Sequence, residues 1–267
     1  MKPFGAMRTI TLTAIFSLLI SVTLIAQVIR PVITIIDDPS PANVSHITSD
    51  GKYFYTCTGG KSKKEGTPNY KINKYNAITG DFVKSYPFKL FNMRSIMYNS
   101  KDKNLYIATY DMKIHKIVDL ENGITEQCFK GKENIYKNPR SSAALDPNGK
   151  ILYVMDKGTL TMYNFKDGSI KKTLSGLAFG EDDKDDPGLG KYGSASVAVG
   201  KKYIYTWDSH SNQKKIYAYD KNGNLVKVFQ ISSGNWGWSL SYANGFVFVS
   251  VNQPNSVGLW NGYKLLE

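Results

Sequence analysis

Few residues in this chain have the types and spacing of a catalytic site. The three histidines, His46, His115 and His210, fall in different repeats and at different strand positions of the pattern described below. The chain has no G-x-S-x-G or H-E-x-x-H motif, no P-loop, and no G-x-G-x-x-G between a strand and a helix. A nucleophile and a base at motif spacing are missing, which favours a binding protein over an enzyme.

Two tryptophans in one loop are the candidate for ligand contact. Trp236 and Trp238 stand at i and i+2 of an extended segment, so both rings project to the same side. They offer flat stacking surfaces for a sugar or an aromatic side chain, and Asn235 and His210 would supply hydrogen bonds beside them. The alternative is that both rings fill the gap between two repeats, since a buried aromatic ring is the common case.

Five carboxylates between Glu181 and Asp186 are the candidate for a metal site. Clustered oxygen ligands suit Ca²⁺, but the helix-flanked calcium loop requires Gly at its sixth position and Glu at its twelfth. This chain has Asp186 and Tyr192 there. A solvated acidic loop is therefore the competing interpretation. The candidate metal ligands are Asp182, Asp183, Asp185 and Asp186.

A polar residue with a carboxylate or amide group ends one apolar strand in four of the repeats. These residues are Asp111, Asp156, Asp208 and Asn252. If they converge with His46 at a common axis, the chain would suit a lactonase or lyase that uses histidine as general base. Aspartate also commonly caps a loop by accepting hydrogen bonds from backbone N–H groups, which is the simpler explanation.

Two series of turns divide the chain after residue 41, and they alternate without exception. The first series precedes an apolar strand and comprises Asp50-Gly51, Lys103-Asn104, Asn148-Gly149, Gly200-Lys201 and Asn244-Gly245. The second series closes each unit and comprises Thr79-Gly80, Asn122-Gly123, Asp167-Gly168, Asn222-Gly223 and Asn261-Gly262. Gly and Asn supply the positive φ angles of tight hairpins, so each unit is predicted to be a four-stranded antiparallel meander.

Radial packing of these meanders is the predicted architecture. Residues Ile151–Met155 are apolar at every position, so both faces of that strand are covered by neighbouring sheets. We therefore predict an all-β fold, a β-propeller of about five four-stranded antiparallel blades. An N-terminal strand, Val32–Ile36, is expected to close the ring against the last blade, whose fourth strand, Tyr263–Glu267, is very short. The equivalent aromatic residues predicted to form the blade-to-blade core are Tyr55, Tyr106, Tyr153, Tyr205 and Phe248.

Two of the repeats carry a family resemblance. The segments ITSDGKYFYTC with INKYNAITGDFV, and ALDPNGKILYVMDKGTLTMYNFKDGSI, resemble the repeats of bacterial extracytoplasmic β-propellers of the YVTN and NHL-like kind. The resemblance covers most of the chain after residue 41 and implies a fold rather than a chemistry. The turns also resemble those of quinoprotein repeats, but the regularly placed tryptophans of that family are missing. No quinone and no other cofactor is therefore predicted.

Residues 1–26 have the pattern of an export signal. Lys2 and Arg8 precede the uncharged apolar run Ile10–Ala26. An uncleaved membrane anchor is the alternative, because Ile10–Ile29 is 20 residues without a charge. Either way, we expect residues 27–41 to form the closing strand and a linker, and residues 42–267 to form the propeller. The propeller would then be periplasmic, displayed at the cell surface or secreted.

The positive charge of the chain favours some partners over others. The formal net charge is +12, but lysines such as Lys52, Lys101, Lys103 and Lys150 are scattered through turns. They do not form one stripe interleaved with exposed aromatic residues, which argues against nucleic acid as a partner. Lysine protects exposed strand edges, and attraction to anionic envelope polymers or lipid headgroups is the alternative interpretation.

The length of the loops indicates which face of the propeller binds. The tight turns lie on one rim, and the long loops, where binding residues concentrate, lie on the other. The sequence therefore predicts an exported, non-enzymatic module whose long-loop face binds a protein or glycan of the cell envelope or exterior. Membrane contact is expected only through an uncleaved N-terminal segment. Cys57 and Cys128 are not expected to form a disulfide, because they belong to different blades and different strand positions.

Overall fold

In the part of the chain that the computed structural model describes, the regular structure consists of twenty β-strands. The structure describes residues 28–37, 43–59, 70–90, 92–132, 135, 142–156, 158–178, 196–208, 214–232, 237–252 and 258–266. Within these ranges there is no helix long and apolar enough to cross a membrane. The candidate export segment lies outside the described residues.

The strands form five four-stranded antiparallel sheets arranged in a ring, a five-bladed β-propeller. Blade 1 comprises β2 (Asn43–Ser49), β3 (Tyr53–Gly59), β4 (Lys71–Asn76) and β5 (Phe82–Pro87). Blade 2 comprises β6 (Met93–Asn99), β7 (Asn104–Thr109), β8 (Ile114–Asp119) and β9 (Ile124–Gln127). Blade 3 comprises β10 (Ala143–Leu145), β11 (Ile151–Asp156), β12 (Thr159–Asn164) and β13 (Ile170–Leu174). Blade 4 comprises β14 (Val197–Val199), β15 (Ile204–Asp208), β16 (Lys215–Tyr219) and β17 (Leu225–Gln230). Blade 5 comprises β18 (Gly237–Ala243), β19 (Phe246–Asn252), β20 (Gly258–Tyr263) and the N-terminal strand β1 (Ile33–Ile36).

Local turn chemistry explains why these hairpins form. In the first turn of blade 1, the Asp50 carboxylate accepts hydrogen bonds from the backbone N–H groups of Lys52 and Tyr53, at 2.8 and 2.7 Å. Gly51 has a φ of 92°, which an L side chain rarely adopts. This turn confirms the prediction made from the Asp-Gly pair and sets the register of β2 against β3.

The N-terminal strand closes the ring, as predicted, but it does so differently from the prediction. Strand β1 pairs antiparallel with β20, with Ile33 opposite Gly262, and is the fourth strand of blade 5. The predicted turn at Asn261-Gly262 is wrong, because both residues lie inside β20. The predicted strand at Tyr263–Glu267 is also wrong, since the residues described after Tyr263 are not in a strand.

Close packing explains the glycine in β20. A Cβ atom at Gly262 would lie 2.6 Å from Ile33 Cγ2 and 2.8 Å from Phe248 Cε1, so the position has no room for a side chain. The glycine that resembles a turn signal in the sequence therefore allows β1 to approach the core of blade 5.

Five separate hydrophobic clusters fill the interfaces between adjacent blades. Each cluster contains one of the predicted aromatic residues, and all five of these residues are buried. The prediction for Tyr55, Tyr106, Tyr153, Tyr205 and Phe248 is therefore confirmed. Cys57 belongs to the cluster between blades 1 and 2, Cys128 packs against the cluster between blades 2 and 3, and neither thiol is bridged.

Candidate functional site

A ring of polar residues occupies one equivalent position in each blade, on the innermost strand or directly before it. In blade 1, Thr48 of β2 pairs with the core aromatic residue Tyr55 of β3, and His46 lies two residues before Thr48. The member from each of the other four blades has the same relation to the core aromatic residue of its own blade. The five members are His46, Ser95, Ser142, Ser196 and Ser239, and all are at least nine-tenths buried. We call this set the polar ring.

The serines of the polar ring join each innermost strand to the next. The Ser95 hydroxyl accepts a hydrogen bond from the Ala143 backbone N–H at 2.8 Å. The Ser142 hydroxyl bonds the Ser196 hydroxyl at 2.7 Å, and Ser196 in turn accepts from the Leu240 N–H at 2.7 Å.

The same connection continues around the rest of the axis. Ser239 donates to the Ser45 carbonyl of blade 1. On blade 1, His46 Nδ1 lies 2.9 Å from the Ile96 carbonyl oxygen of blade 2. The polar ring therefore satisfies backbone groups that would otherwise be buried without partners.

His46 is the one ring member that is not serine. Burial lowers the pKa of its imidazole to about 4, against the opposing effect of the Ile96 and Leu240 carbonyls. Its Nε2 atom makes no hydrogen bond of normal geometry with the described residues. The side chain is therefore neutral at neutral pH and contributes shape and one hydrogen bond to the ring.

The channel inside the ring opens on the rim of the tight turns. A cavity of about 230 Å³ there is lined by His46, Thr48, Asp50, Tyr98 and Asn244, among others. The Asp50 carboxylate also accepts a hydrogen bond from the Tyr55 hydroxyl at 2.9 Å, in addition to its turn contacts. That carboxylate is thus engaged in holding the first turn of blade 1.

The carboxylates proposed to meet His46 do not line this cavity. Asp111 is exposed at the far end of β7, where it accepts a hydrogen bond from Thr109 at 2.5 Å and pairs with Lys113 at 3.0 Å. Asp156, at the end of β11, is also absent from the cavity lining. The side chains of Asp208 and Asn252 lie outside the described residues. The Asp111 carboxylate therefore contacts side chains of its own turn, and neither Asp111 nor Asp156 lines the cavity that contains His46.

Most of the residues predicted to bind a ligand lie outside the described residues. This applies to His210, Asn235 and Trp236, and to the candidate metal ligands Asp182, Asp183, Asp185 and Asp186. Trp238 lies in β18, but its side chain is not among those described. Among the side chains that are described, no three His, Cys, Asp or Glu residues are grouped as metal ligands. The tryptophan site and the calcium site remain predictions.

A large groove lies at the junction of blades 2 and 3, on the side of the tight turns. Its volume is about 900 Å³. The aromatic rings of Tyr106, Phe129 and Phe165 contribute to its wall, with Phe165 in edge contact with Tyr106 at 4.8 Å and with Phe129 at 5.7 Å between ring centroids. Phe129 and Phe165 are half-buried, so part of each ring faces the groove.

Five lysines line this groove, and we call it the basic groove. They come from both blades and are Lys101, Lys116, Lys130, Lys150 and Lys166. In the described part of the chain, ion pairs join Lys84 to Glu121 and Lys113 to Asp111, and neither pair involves a groove lysine.

Two of the three carboxylates that line the basic groove accept hydrogen bonds from neighbouring residues. Asp102 accepts a hydrogen bond from the Tyr106 hydroxyl at 2.5 Å. Asp167 accepts from the Ser169 hydroxyl and N–H at 2.7 and 2.8 Å, and these bonds lower its pKa. Glu126 stands opposite Lys116 in the pairing of β8 with β9. Five lysines against three carboxylates give the groove a formal net charge of +2.

Sequence reasoning missed both the polar ring and the basic groove. In the sequence, Lys101 and Lys150 belong to lysines scattered through turns, but the packing of blade 2 against blade 3 brings these two turns to the same junction. The signal for the polar ring was present: a serine stands four to eight residues before the first turn in four of the repeats, at Ser95, Ser142, Ser196 and Ser239.

Comparison with known proteins shows the fold alone. No protein-family model and no curated protein sequence matches this chain. A solved chain of the nidogen/laminin complex superposes with a TM-score of 0.50 at 13% identity, covering 81% of this chain and 75% of that one. The RRP9 WD40 repeats give 0.49 at 13% identity over 88% and 99%, and the Cps50 (Swd1) β-propeller domain of Myceliophteria thermophila gives 0.47 at 11% over 87% and 99%. At 13% identity the superposition on the nidogen/laminin chain concerns architecture alone, and it agrees with the strand order, which makes the chain a β-propeller.

Proposed function

We propose that the chain is an exported, non-enzymatic binding or assembly module for a protein or glycan of the cell envelope or exterior. The basic groove carries this proposal. It presents five lysines that make no ion pair with another described residue, beside two partly exposed aromatic rings. Such a surface is suited to holding an external partner, because its charges have no structural task within the blades.

The rigid scaffold behind the groove supports a binding role. Blades 2 and 3 are joined at their inner ends by the hydrogen bond between Ser95 and Ala143 and along their length by a shared hydrophobic cluster. A groove built on such elements keeps its shape before a partner arrives, which lowers the entropic cost of binding. A propeller also occurs in the nidogen/laminin complex, which is an assembly of two proteins.

Export is proposed on the N-terminal sequence. Residues 1–26 combine a positive start with an uncharged apolar run, and the repeats resemble those of bacterial extracytoplasmic propellers of the YVTN and NHL-like kind. The location would be periplasmic, cell-surface or secreted, with membrane attachment if the segment is retained. Cell fractionation, with mass spectrometry of the N-terminus, tests this part. Recovery of the chain with residues 1–26 in the cytoplasm would contradict it.

The long-loop face is a second surface within the same proposed function. There Trp236 and Trp238 would stack on a ligand, with Asn235 and His210 beside them. Trp236→Ala and Trp238→Ala should each weaken partner retention more than they lower the thermal midpoint. Lost stability with binding intact would instead assign both rings to the gap between blades 4 and 5.

Charge reversal in the basic groove tests the proposed function directly. The protein is incubated with envelope extract, cross-linked, and compared with the variant Lys130→Glu/Lys166→Glu. The control, Lys201→Glu/Lys202→Glu, makes the same charge change at two exposed residues in a turn of blade 4. We expect the groove variant to lose a cross-linked partner that the control retains. Equal capture by all three proteins would overturn the proposal for this groove.

A further inference from the structure

We infer that the basic groove binds a polyanionic glycan, a sugar chain that carries regularly spaced acidic groups. This inference rests on the proposed function and assigns its ligand class. Three features of the groove carry it: the kind of cation that lines it, the aromatic rings beside those cations, and the conformation that holds one of the rings.

The cations of the groove are all lysines. Five lysines and no arginine line the described groove, against three carboxylates, of which Asp102 and Asp167 accept hydrogen bonds from Tyr106 and Ser169. Arginine recognises a single carboxylate or phosphate through a planar, two-bonded fork, whereas the lysine ammonium is a compact point charge with rotatable donors. Several lysines on one surface therefore suit a flexible polymer with many similar charges, rather than one acidic group in a fixed orientation.

The aromatic rings supply the second contact that a sugar requires. Phe129 and Phe165 are half-buried and meet edge to face, so each ring leaves part of its surface open. Sugar rings bury their apolar C–H faces against aromatic rings, while their acidic groups stay at the edge of the sugar. Lys130 and Lys166 directly follow the two phenylalanines in the sequence, and all four residues line the groove.

Phe129 is held in an uncommon backbone conformation. Its φ is 53°, in the left-handed region that bulky residues rarely adopt. A Cβ atom added at Gly168 of blade 3 would lie 3.1 Å from Phe129 Cδ1, so the glycine makes room for the ring. Strained backbone of this kind concentrates at functional sites, because the surrounding structure must maintain it.

The volume of the groove matches this class of ligand. At about 900 Å³ it lies at the upper end of the range for organic ligand sites. Its lining comes from blade 2 and blade 3 alike, so a bound chain would contact both blades. An acidic peptide is the other polyanion that could bind such a groove, and the experiment below distinguishes the acidic peptide from the glycan.

The test measures binding of three polymers to the purified protein by titration calorimetry. The probes are polygalacturonate, poly-L-glutamate of similar charge, and neutral dextran. We expect polygalacturonate to bind more tightly than poly-L-glutamate, with an affinity that falls as salt is added, and dextran not to bind. Lys130→Glu/Lys166→Glu should weaken polygalacturonate binding about tenfold or more, while Lys201→Glu/Lys202→Glu changes it about twofold or less.

A second variant reads the aromatic contact separately from charge. Phe129→Leu keeps an apolar side chain and removes the aromatic ring. The thermal midpoint of the variant shows whether it is still folded. We expect this variant to bind polygalacturonate about fivefold more weakly, by loss of stacking, and to bind poly-L-glutamate unchanged. Equal weakening with both polymers would overturn the stacking argument.

Two results would overturn the glycan assignment as a whole. One is poly-L-glutamate binding as tight as polygalacturonate binding, which would make the ligand an acidic peptide. The other is polygalacturonate binding that is unaffected by Lys130→Glu/Lys166→Glu. If polygalacturonate does not bind, but capture of a partner from envelope extract still depends on Lys130 and Lys166, the ligand class is wrong and the proposed function stands. If the capture is also independent of them, both proposals fail.

Discussion

The polar ring and the basic groove use polar side chains in opposite ways. In the polar ring, buried hydroxyls bond the backbone of the next blade, as Ser196 does with Leu240. In the basic groove, lysines such as Lys130 and Lys166 stay exposed and make no ion pair with another described residue. The ring is close to the axis and identical in role in every blade, whereas the groove belongs to one junction.

This difference shows how a repeat-built fold separates stability from function. A position repeated in all five blades serves a task that every blade shares, which here is joining one innermost strand to the next. A surface that occurs at one junction is free to change without affecting the others. Substitutions at the two regions should therefore have different consequences, and four predictions test that contrast.

The largest effect is expected in the hydrophobic core between the blades. Tyr153 is buried between blades 3 and 4, so Tyr153→Ala should lower the free energy of unfolding by about 3 to 5 kcal/mol through lost burial and cavity formation. Chemical denaturation measures this. An unchanged midpoint would show that the equivalence of the five aromatic residues does not reflect a shared structural role.

The histidine of the polar ring should make stability depend on pH. The pKa of His46 is lowered to about 4 in the folded protein, against about 6.5 for an unperturbed histidine. Its contribution is fully present above pH 6.5 and is lost as pH falls toward 4, because the unfolded chain takes up the proton first. The loss should reach about 3 kcal/mol.

A serine variant isolates this contribution from the carboxylates that titrate in the same range. His46→Ser places at blade 1 the residue found at the other four ring positions. We expect the variant to lose less stability than the original protein between pH 6.5 and 4, measured by denaturant titration at each pH. Parallel curves for the two proteins would contradict the role given to His46.

A smaller effect is expected from removing one serine of the ring. Ser196→Ala leaves the buried Leu240 N–H without its acceptor, which should cost about 1 to 3 kcal/mol. Ser100→Ala is the control, because this exposed hydroxyl bonds the Pro147 carbonyl, to which water has access. If both variants have the same unfolding midpoint, the ring does not contribute to joining the blades.

The smallest effect on stability is expected in the basic groove. Lys130→Glu/Lys166→Glu should change the free energy of unfolding by no more than about 0.5 kcal/mol, because both side chains are exposed and make no ion pair with another described residue. Thermal and denaturant unfolding measure this. A marked destabilisation would mean that the groove, like the ring, serves the fold.

The sequence by itself determined the repeated parts of this protein. Turn residues such as Asp50 and Gly51 act on their own neighbours, so their spacing predicted the hairpins and the number of blades. The aromatic residue of each second strand, for example Tyr205, was predicted to be buried because a continuous apolar strand must be covered on both faces. These are local effects, and the chain expresses them wherever the repeat occurs.

Only the tertiary structure decided how distant segments meet. Gly262 has the appearance of a turn residue, yet its small size serves the approach of Ile33 from the other end of the chain. The lysines of the basic groove looked scattered because Lys101 and Lys150 belong to different repeats, and only the packing of blade 2 on blade 3 brings them together. Contacts between residues far apart in sequence depend on how the blades pack around the axis, which neither turn chemistry nor periodicity specifies.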